Sequence, residues 1–302
     1  MTASPEAGMA PRDLLLALVV IVVWGLNFVV IRVGLDGLPP MLLGALRFVL
    51  AAFPAVLFVR RPAVPWRWLL AYGATISLGQ FVFLFQAMAH GMPPGLASLV
   101  LQSQAIFTLV FAAAFLRERM RPASVVGLLI AALGLLLIGL ENGHATPLLA
   151  VLLTLCGGAM WGAGNIITRR FGQVDQLSLV VWGALVPPLP FLALSLWWEG
   201  PAQIASALRH INAHSVWALV YLAFGATLLG YGLWSRLLSR YPAGKVAPFS
   251  LLVPVVGLSS SAWLLGERLG MLQWVGGAVV MLGLLVNVFG ARFIAAWAPR
   301  SA

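Results

Sequence analysis

The stretch "MPPGLASLVLQSQAIFTLVFAAAFLRER", residues 92 to 119, returns without a gap as "YPAGKVAPFSLLVPVVGLSSSAWLLGER", residues 241 to 268. Both copies open on Pro-x-Gly and close on Glu-Arg, at an offset of 149 residues. The match runs on, with "VGLLIAALGLLL" (126–137) falling on "VGGAVVMLGLLV" (275–286), so that Gly127 stands over Gly276 and Gly134 over Gly283. Upstream, at an offset of 137, "WGLNFVVIR" (24–32) meets "WGAGNIITR" (161–169). Trp24 then stands over Trp161, Arg32 over Arg169, and Asn27 one place from Asn165. Internal similarity at a fixed offset marks a unit built twice.

Composition says what the unit is. Of 302 residues, 62% are hydrophobic and 9% charged, against about 25% charged in a soluble globular chain. A spanning helix needs about 20 mostly apolar residues at 1.5 Å each. Apolar runs set against breakers give ten such spans, at 13–33, 40–59, 67–88, 95–116, 123–140, 147–168, 177–197, 215–236, 245–265 and 272–291. The connections are short except for "EGPAQIASALRHINAH" (199–214), which has room for a small external helix and accounts for the difference between the two offsets. The start "MTASPEAGMAP" lacks a charged n-region, and the run after Asp13 has no A-x-A-like cleavage site, so the first span is expected to be retained.

Each half therefore holds five spans, and an odd number turns the second copy upside down. Charge gives the same answer independently. With the N-terminus in the cytoplasm, the inner segments carry Arg12, Arg60, Arg61, Arg67, Arg117, Arg119, Arg121, Arg169, Arg170, Arg236, Arg240, Lys245, Arg292 and Arg300, and the outer segments only Arg32, Arg209 and Arg268. The positive-inside rule then puts both termini in the cytoplasm. Arg47 is left over, inside span 2. The expected fold is an all-α membrane protein of ten transmembrane helices in two inverted repeats, 13–141 and 147–291, with cytoplasmic tails 1–12 and 292–302.

The net charge of +10 comes from basic residues scattered between apolar runs, a topological use that does not suggest nucleic acid. A single cysteine, Cys156, excludes an intramolecular disulfide and any cysteine cluster for metal. No GxxxxGK[ST] phosphate loop is present, so ATP hydrolysis within the chain is not expected. No metal or cofactor is expected. Inverted repeats suit a secondary transporter, whose two halves exchange roles as inner and outer gate around a midplane site. An intramembrane enzyme acting on lipid would want a nucleophile with a partner base at depth; Ser98, Ser103, Ser250 and Ser259 to Ser261 have no such base beside them.

The paired halves, the "WGLNFVVIRVGL" start, "LGALRF" in span 2 and the Pro-x-Gly…Glu-Arg segments resemble the EamA-type drug/metabolite transporter superfamily, over about residues 13 to 291. "VVWGLNFVVIRVGL", "MPPGLASLVLQ" and "APFSLLVPVVGL" look most similar to bacterial exporters of amino acids and their metabolites, of the cysteine and O-acetylserine type. The resemblance implies an inner-membrane basket of ten helices with a central cavity. A small-molecule substrate and membrane lipid are the expected partners, and a monomer is the expected state. The resemblance does not fix the solute. An exporter of another small metabolite or drug is the alternative.

Intramembrane polar side chains normally face the bundle interior or a wet cavity. Asn27 and Asn165 are thus expected inward, each near a Trp-Gly pair, Trp24-Gly25 and Trp161-Gly162. Either these elements are interhelical packing and glue, or they line the transport path. Arg47 lies some seven residues into span 2, about 10 Å along its axis. Three roles compete: snorkelling, pairing with backbone carbonyls, or holding a substrate carboxylate through its forked donors. Span 3 adds Gln80 and Gln86, and span 4 adds Gln102 and Gln104. As the last two are about 200° apart on a helix, only one is expected to meet the site, and Gln102 is the candidate. Tyr231, Trp234 and Ser250 complete the substrate-binding candidates. Pro93 and Pro94 at the start of span 4, and Pro248 and Pro254 in span 9, are the expected hinges of the gates. No Asp, Glu or His falls in the middle of a span; a proton relay through the core is therefore not expected.

Overall fold

A computed structural model describes residues 9–120, 122–140, 146–171 and 174–297. The tail residues 1–8 and 298–302 lie outside it, as do Arg121, Glu141 and His144. Among the described residues every regular element is helical, and ten helices are long and apolar enough to cross a membrane. They are spans 1 to 10: Pro11–Gly37, Pro40–Phe58, Trp66–Ala89, Pro94–Leu116, Pro122–Leu140, Leu148–Thr168, Gln176–Trp198, Ala213–Arg240, Ala247–Leu265 and Met271–Gly290. The connection after span 7 folds as a helix, Gly200–Arg209.

Proline sets where several helices begin. Pro11, Pro40, Pro94 and Pro122 each stand at the first helical position, where the missing N–H is no loss and the fixed φ suits the helix. Inside a span the same residue breaks it. Span 2 bends at Phe53–Pro54, and span 7 is interrupted at Ala184–Pro187 before resuming at Pro188.

Glycine sets where helices touch. A Cβ built on Gly127 would lie 2.5 Å from the Gly283 carbonyl oxygen, and one on Gly134 would lie 2.6 Å from that of Gly276. Spans 5 and 10 therefore run antiparallel with their backbones in contact, a close approach only small residues permit. A Cβ on Gly25 of span 1 would lie 2.5 Å from Val256 Cβ of span 9, and one on Gly162 of span 6 would lie 2.8 Å from Phe107 Cβ of span 4. The Trp-Gly pairs thus seat spans 1 and 6 on spans 9 and 4. On the periphery, Leu57, Phe58, Trp197 and Trp263 are more than 70% exposed, apolar surface that lipid would cover.

Beyond the broken spans 2 and 7, four more spans depart from the α-helix. Spans 3 and 8 each contain a π-helical segment, Gly73–Gly79 and Tyr221–Leu229. Span 4 breaks at Leu101–Gln102, and span 9 begins as a 3₁₀ helix, Ala247–Leu252. At the repeat offset of 149 the span 4 break falls inside the span 9 irregularity. Pro93 and Pro94 start span 4 as N-cap and first residue, so the interruption lies seven residues beyond the expected hinge. Pro248 is the second residue of the 3₁₀ turn of span 9, and Pro254 the second residue of the α-helix Val253–Leu265 that follows.

Candidate functional site

The site is built around span 2. Its first turn is anchored by the Glu199 carboxylate, which accepts from the Met41 and Leu42 amides at 2.6 and 3.1 Å. Gly44 leaves room for the Phe191 ring. About two turns further on, Arg47 is only 3% exposed. Its guanidinium carbon sits 4.1 Å from the Phe81 ring centroid and 5.4 Å from that of Phe48, a cation–π setting. Nη2 donates to Thr227 Oγ1 at 3.4 Å. Nε and Nη1 are buried with no acceptor among the described residues. A guanidinium keeps its charge, and a buried cation with idle donors asks for an anion.

The π-helical segment of span 8 supplies the facing wall. Thr227 belongs to it, and its hydroxyl donates in turn to the Leu222 carbonyl at 2.8 Å. Just beyond, Tyr231 lies within electrostatic reach of the Arg47 guanidinium. Trp24 stacks at a tilt on Tyr231 and on Trp234, with centroids 5.0 and 5.3 Å apart. Its Nε1 donates to the Ala226 carbonyl at 3.0 Å, in space that Gly230 leaves open. Tyr221 returns the link by donating to the Val23 carbonyl at 2.9 Å. The structure thus brings Trp24, Arg47, Tyr231 and Trp234 into one cluster, with Phe81 and Thr227. Of the three roles considered for Arg47, snorkelling does not fit its burial.

The other candidates lie in different settings. Asn165 donates to Gln104 Oε1 and to Thr108 Oγ1, both at 3.0 Å, so its amide ties span 6 to span 4. Gln104, not Gln102, is the span 4 amide that meets a partner. Gln102 stands at the break, ahead of Ser103–Leu116, without a capping hydrogen bond from its side chain, and is 9% exposed. Trp161 packs among core side chains. Asn27 is buried with Oδ1 unpartnered. Gln80, the first residue after the π-helical segment of span 3, is 4% exposed and makes no side-chain hydrogen bond among the described residues. Gln86 is half-buried. Ser250 donates to the Ala247 carbonyl of its own turn at 2.7 Å and does not join the Arg47 cluster.

Sequence reasoning missed two things here. Phe81 and Thr227 carry no signal as lone apolar and hydroxyl residues in spans. Asp13, only 4% exposed, accepts from Arg240 at 3.0 Å and from the Tyr241 hydroxyl at 2.8 Å, pinning the start of span 1 to the end of span 8. Among the described residues no group of three or more His, Cys, Asp or Glu is placed to hold a metal. Two clefts, one between Pro122, Val126, Leu282 and Phe289 and one around Arg32, Asp36 and His210, are lined by none of the Arg47 cluster.

The sequence model of the EamA-like transporter family matches residues 12–140 and again 148–289. A protein of Salmonella typhimurium described as a "probable amino-acid metabolite efflux pump" is 51% identical over 290 residues, covering 94% of this chain and 97% of its own. One of Escherichia coli K12 with the same description is 48% identical over 291 residues, with the same coverage. A crystal structure superposes with a TM-score of 0.64 at 19% identity, covering 96% of this chain and 99% of the other, a likeness of fold alone.

Proposed function

The chain belongs to the EamA-like transporter family, and on that premise we propose that it exports amino acids or amino-acid metabolites across the bacterial inner membrane, with the Arg47 cluster holding the cargo's carboxylate. The observation that carries the reading is the pair of idle donors: Nε and Nη1 of a 3%-exposed arginine, with no acceptor among the described residues. A carboxylate presents two oxygens to such a fork, and the walls of Phe81, Tyr231 and Trp24 suit an apolar side chain or the face-on approach of an ammonium. The descriptions of the two efflux-pump relatives support the same cargo class. Helical spans, not strands of a barrel, support the inner membrane.

Transport runs by alternating access between two inverted five-helix halves, 13–141 and 147–291, with both termini cytoplasmic. Three observations support this. Gly127 meets Gly283 and Gly134 meets Gly276, so each glycine touches the repeat mate of the other, the cross-over that a two-fold axis between antiparallel copies produces. Gly25 on Val256 and Gly162 on Phe107 are the same contact in the two halves. Fourteen of the eighteen arginines and lysines fall on one side of the spans and three on the other. The irregular turns at Leu101–Gln102 and Ala247–Leu252 are the hinges. Asn165, Gln80, Gln86, Gln102, Asn27 and Trp161 line or brace the path, and the carrier works as a monomer.

The test is efflux of a panel of labelled amino acids from proteoliposomes carrying the parent, Arg47→Gln or Arg47→Lys. Loss of efflux in both variants with normal membrane insertion supports the carboxylate role; unchanged efflux of every cargo in Arg47→Gln removes it.

A further inference from the structure

Among the described residues, spans 4 and 9 pack against each other at the Glu267 end. There Pro94–Val100 packs on Val253–Leu265, with Ser98 against Gly257 and Gly95 against the backbone of Leu258. The Glu267 carboxylate fastens this end. It accepts from the Gly95 and Leu96 amides at 2.9 and 3.3 Å and from the Ser261 hydroxyl. First-turn amides have no partner within their own helix, and a carboxylate meets them with charge-assisted bonds at the positive end of the helix dipole.

The repeat offset of 149 makes Glu118 the mate of Glu267, and Thr108 the mate of Gly257. At their end the helix packs as its mate does, Ser103–Leu116 on span 6, where Phe107 and Thr108 meet Gly162, as Val253–Leu265 packs on span 1. What differs is the partner of the carboxylate. Thr108 is engaged with the Gln104 carbonyl at 2.6 Å and with Asn165. The Glu118 carboxylate, half exposed, pairs with Arg169 at 2.6 Å. One sequence motif, Pro-x-Gly…Glu-Arg, thus holds two different states in its two copies.

We infer that Glu267 is the latch of one gate and Glu118, docked on Arg169 in this conformation, the latch of the other. The inference rests on the alternating-access reading above. Opening the Glu267 end frees Gly95 and Leu96 from the carboxylate. Closing the Glu118 end carries that carboxylate from Arg169 to the start of span 9, where the second Pro-x-Gly stands. Span 4 can make this swing about the break at Leu101–Gln102, which lies between its two differently packed parts. Neither acid is bonded to a member of the Arg47 cluster, so the latches act on conformation and not on cargo.

The experiment uses full-length protein with Cys156→Ser, since Cys156 is exposed, reconstituted in proteoliposomes. Spin labels at His90 and Leu264 report the Glu267 end, and labels at Arg119 and Ala247 the Glu118 end; pulsed electron-spin measurements give the two distance distributions. In Glu267→Gln, which retains an acceptor oxygen but loses the charge, the 90–264 distribution should gain a longer component and the 119–247 distribution a shorter one. Ser261→Ala should move both in the same sense by a smaller amount. Lengthening at 90–264 with 119–247 unmoved leaves the Glu267 latch standing but ends the alternating exchange, and with it the role of Glu118. A 90–264 distribution identical to the parent's in both variants overturns the proposal.

Discussion

Gly127 of span 5 lies against the carbonyl of Gly283 in span 10, and its repeat mate Gly276 lies against Gly134, the mate of Gly283. Two backbones in contact leave no room for side chains. Gly127→Leu and Gly283→Leu should each lower the unfolding midpoint in detergent, through a destabilisation of about 1–3 kcal/mol typical of overpacking. Gly139 of the same span has nothing within 4 Å of a built Cβ, so Gly139→Leu should leave the midpoint unchanged. Equal effects at Gly127 and Gly139 would remove the seam from the account.

Trp24 joins span 1 to span 8 by one hydrogen bond and two ring contacts. Trp24→Phe retains an aromatic ring and loses the Nε1 donor to Ala226. Interhelical hydrogen bonds in membranes are worth about 0.6 to 1.7 kcal/mol, and stability should fall within that range. Gly230→Ala, which sets a methyl against the indole nitrogen, should have a larger effect on transport than Trp24→Phe. Thermal unfolding and efflux on the same preparations check both.

Both donors of the Asn165 amide are taken, by Gln104 and Thr108. Asn165→Ala and Gln104→Ala should therefore be non-additive, with a coupling of about 0.6 kcal/mol or more in a double-mutant cycle. The cargo concentration giving half-maximal transport should stay within about twofold of the parent's, because a factor of ten would need about 1.4 kcal/mol of lost cargo contact. A tenfold rise would place Asn165 on the cargo instead.

Asp175, just ahead of span 7, caps it by accepting from the Ser178 amide and is held by the Ser178 and Ser235 hydroxyls. Desolvation pushes its carboxyl up, but these hydrogen bonds outweigh it, and the net pKa falls below the ordinary 3.8. A lowered carboxyl stabilises the fold above its unfolded value and loses that contribution as pH drops through the folded one. The stability gap between parent and Asp175→Asn should be flat from pH 5 to 8, both above the ordinary 3.8, and narrow only in more acidic buffer. A gap that narrows near neutrality would assign the effect to another group.

The ten spans and the duplication were legible because lipid demands long apolar runs and because contact glycines recur at a fixed offset in both halves. The rotational phase of polar residues was not. Span 4 is broken at Leu101–Gln102, which no local pattern announces, and beyond the break Gln104 meets Asn165. The π-helical segments also escaped notice, since residues such as "GATISLG" carry no local mark of an extra residue per turn, and they position Thr227 against Arg47. The links from Asp13 to Arg240 and from Glu267 to Gly95 join residues 227 and 172 positions apart, a distance no local pattern spans.

The central claim is that the two halves lie head to tail across the membrane, and single cysteines at Arg119 and Arg268, in a Cys156→Ser background, test it most directly. A membrane-impermeant maleimide applied to intact cells should label position 268 and spare 119, and inside-out vesicles should reverse the pattern. Both positions labelled from one face would contradict the inversion, and the carrier mechanism built on it.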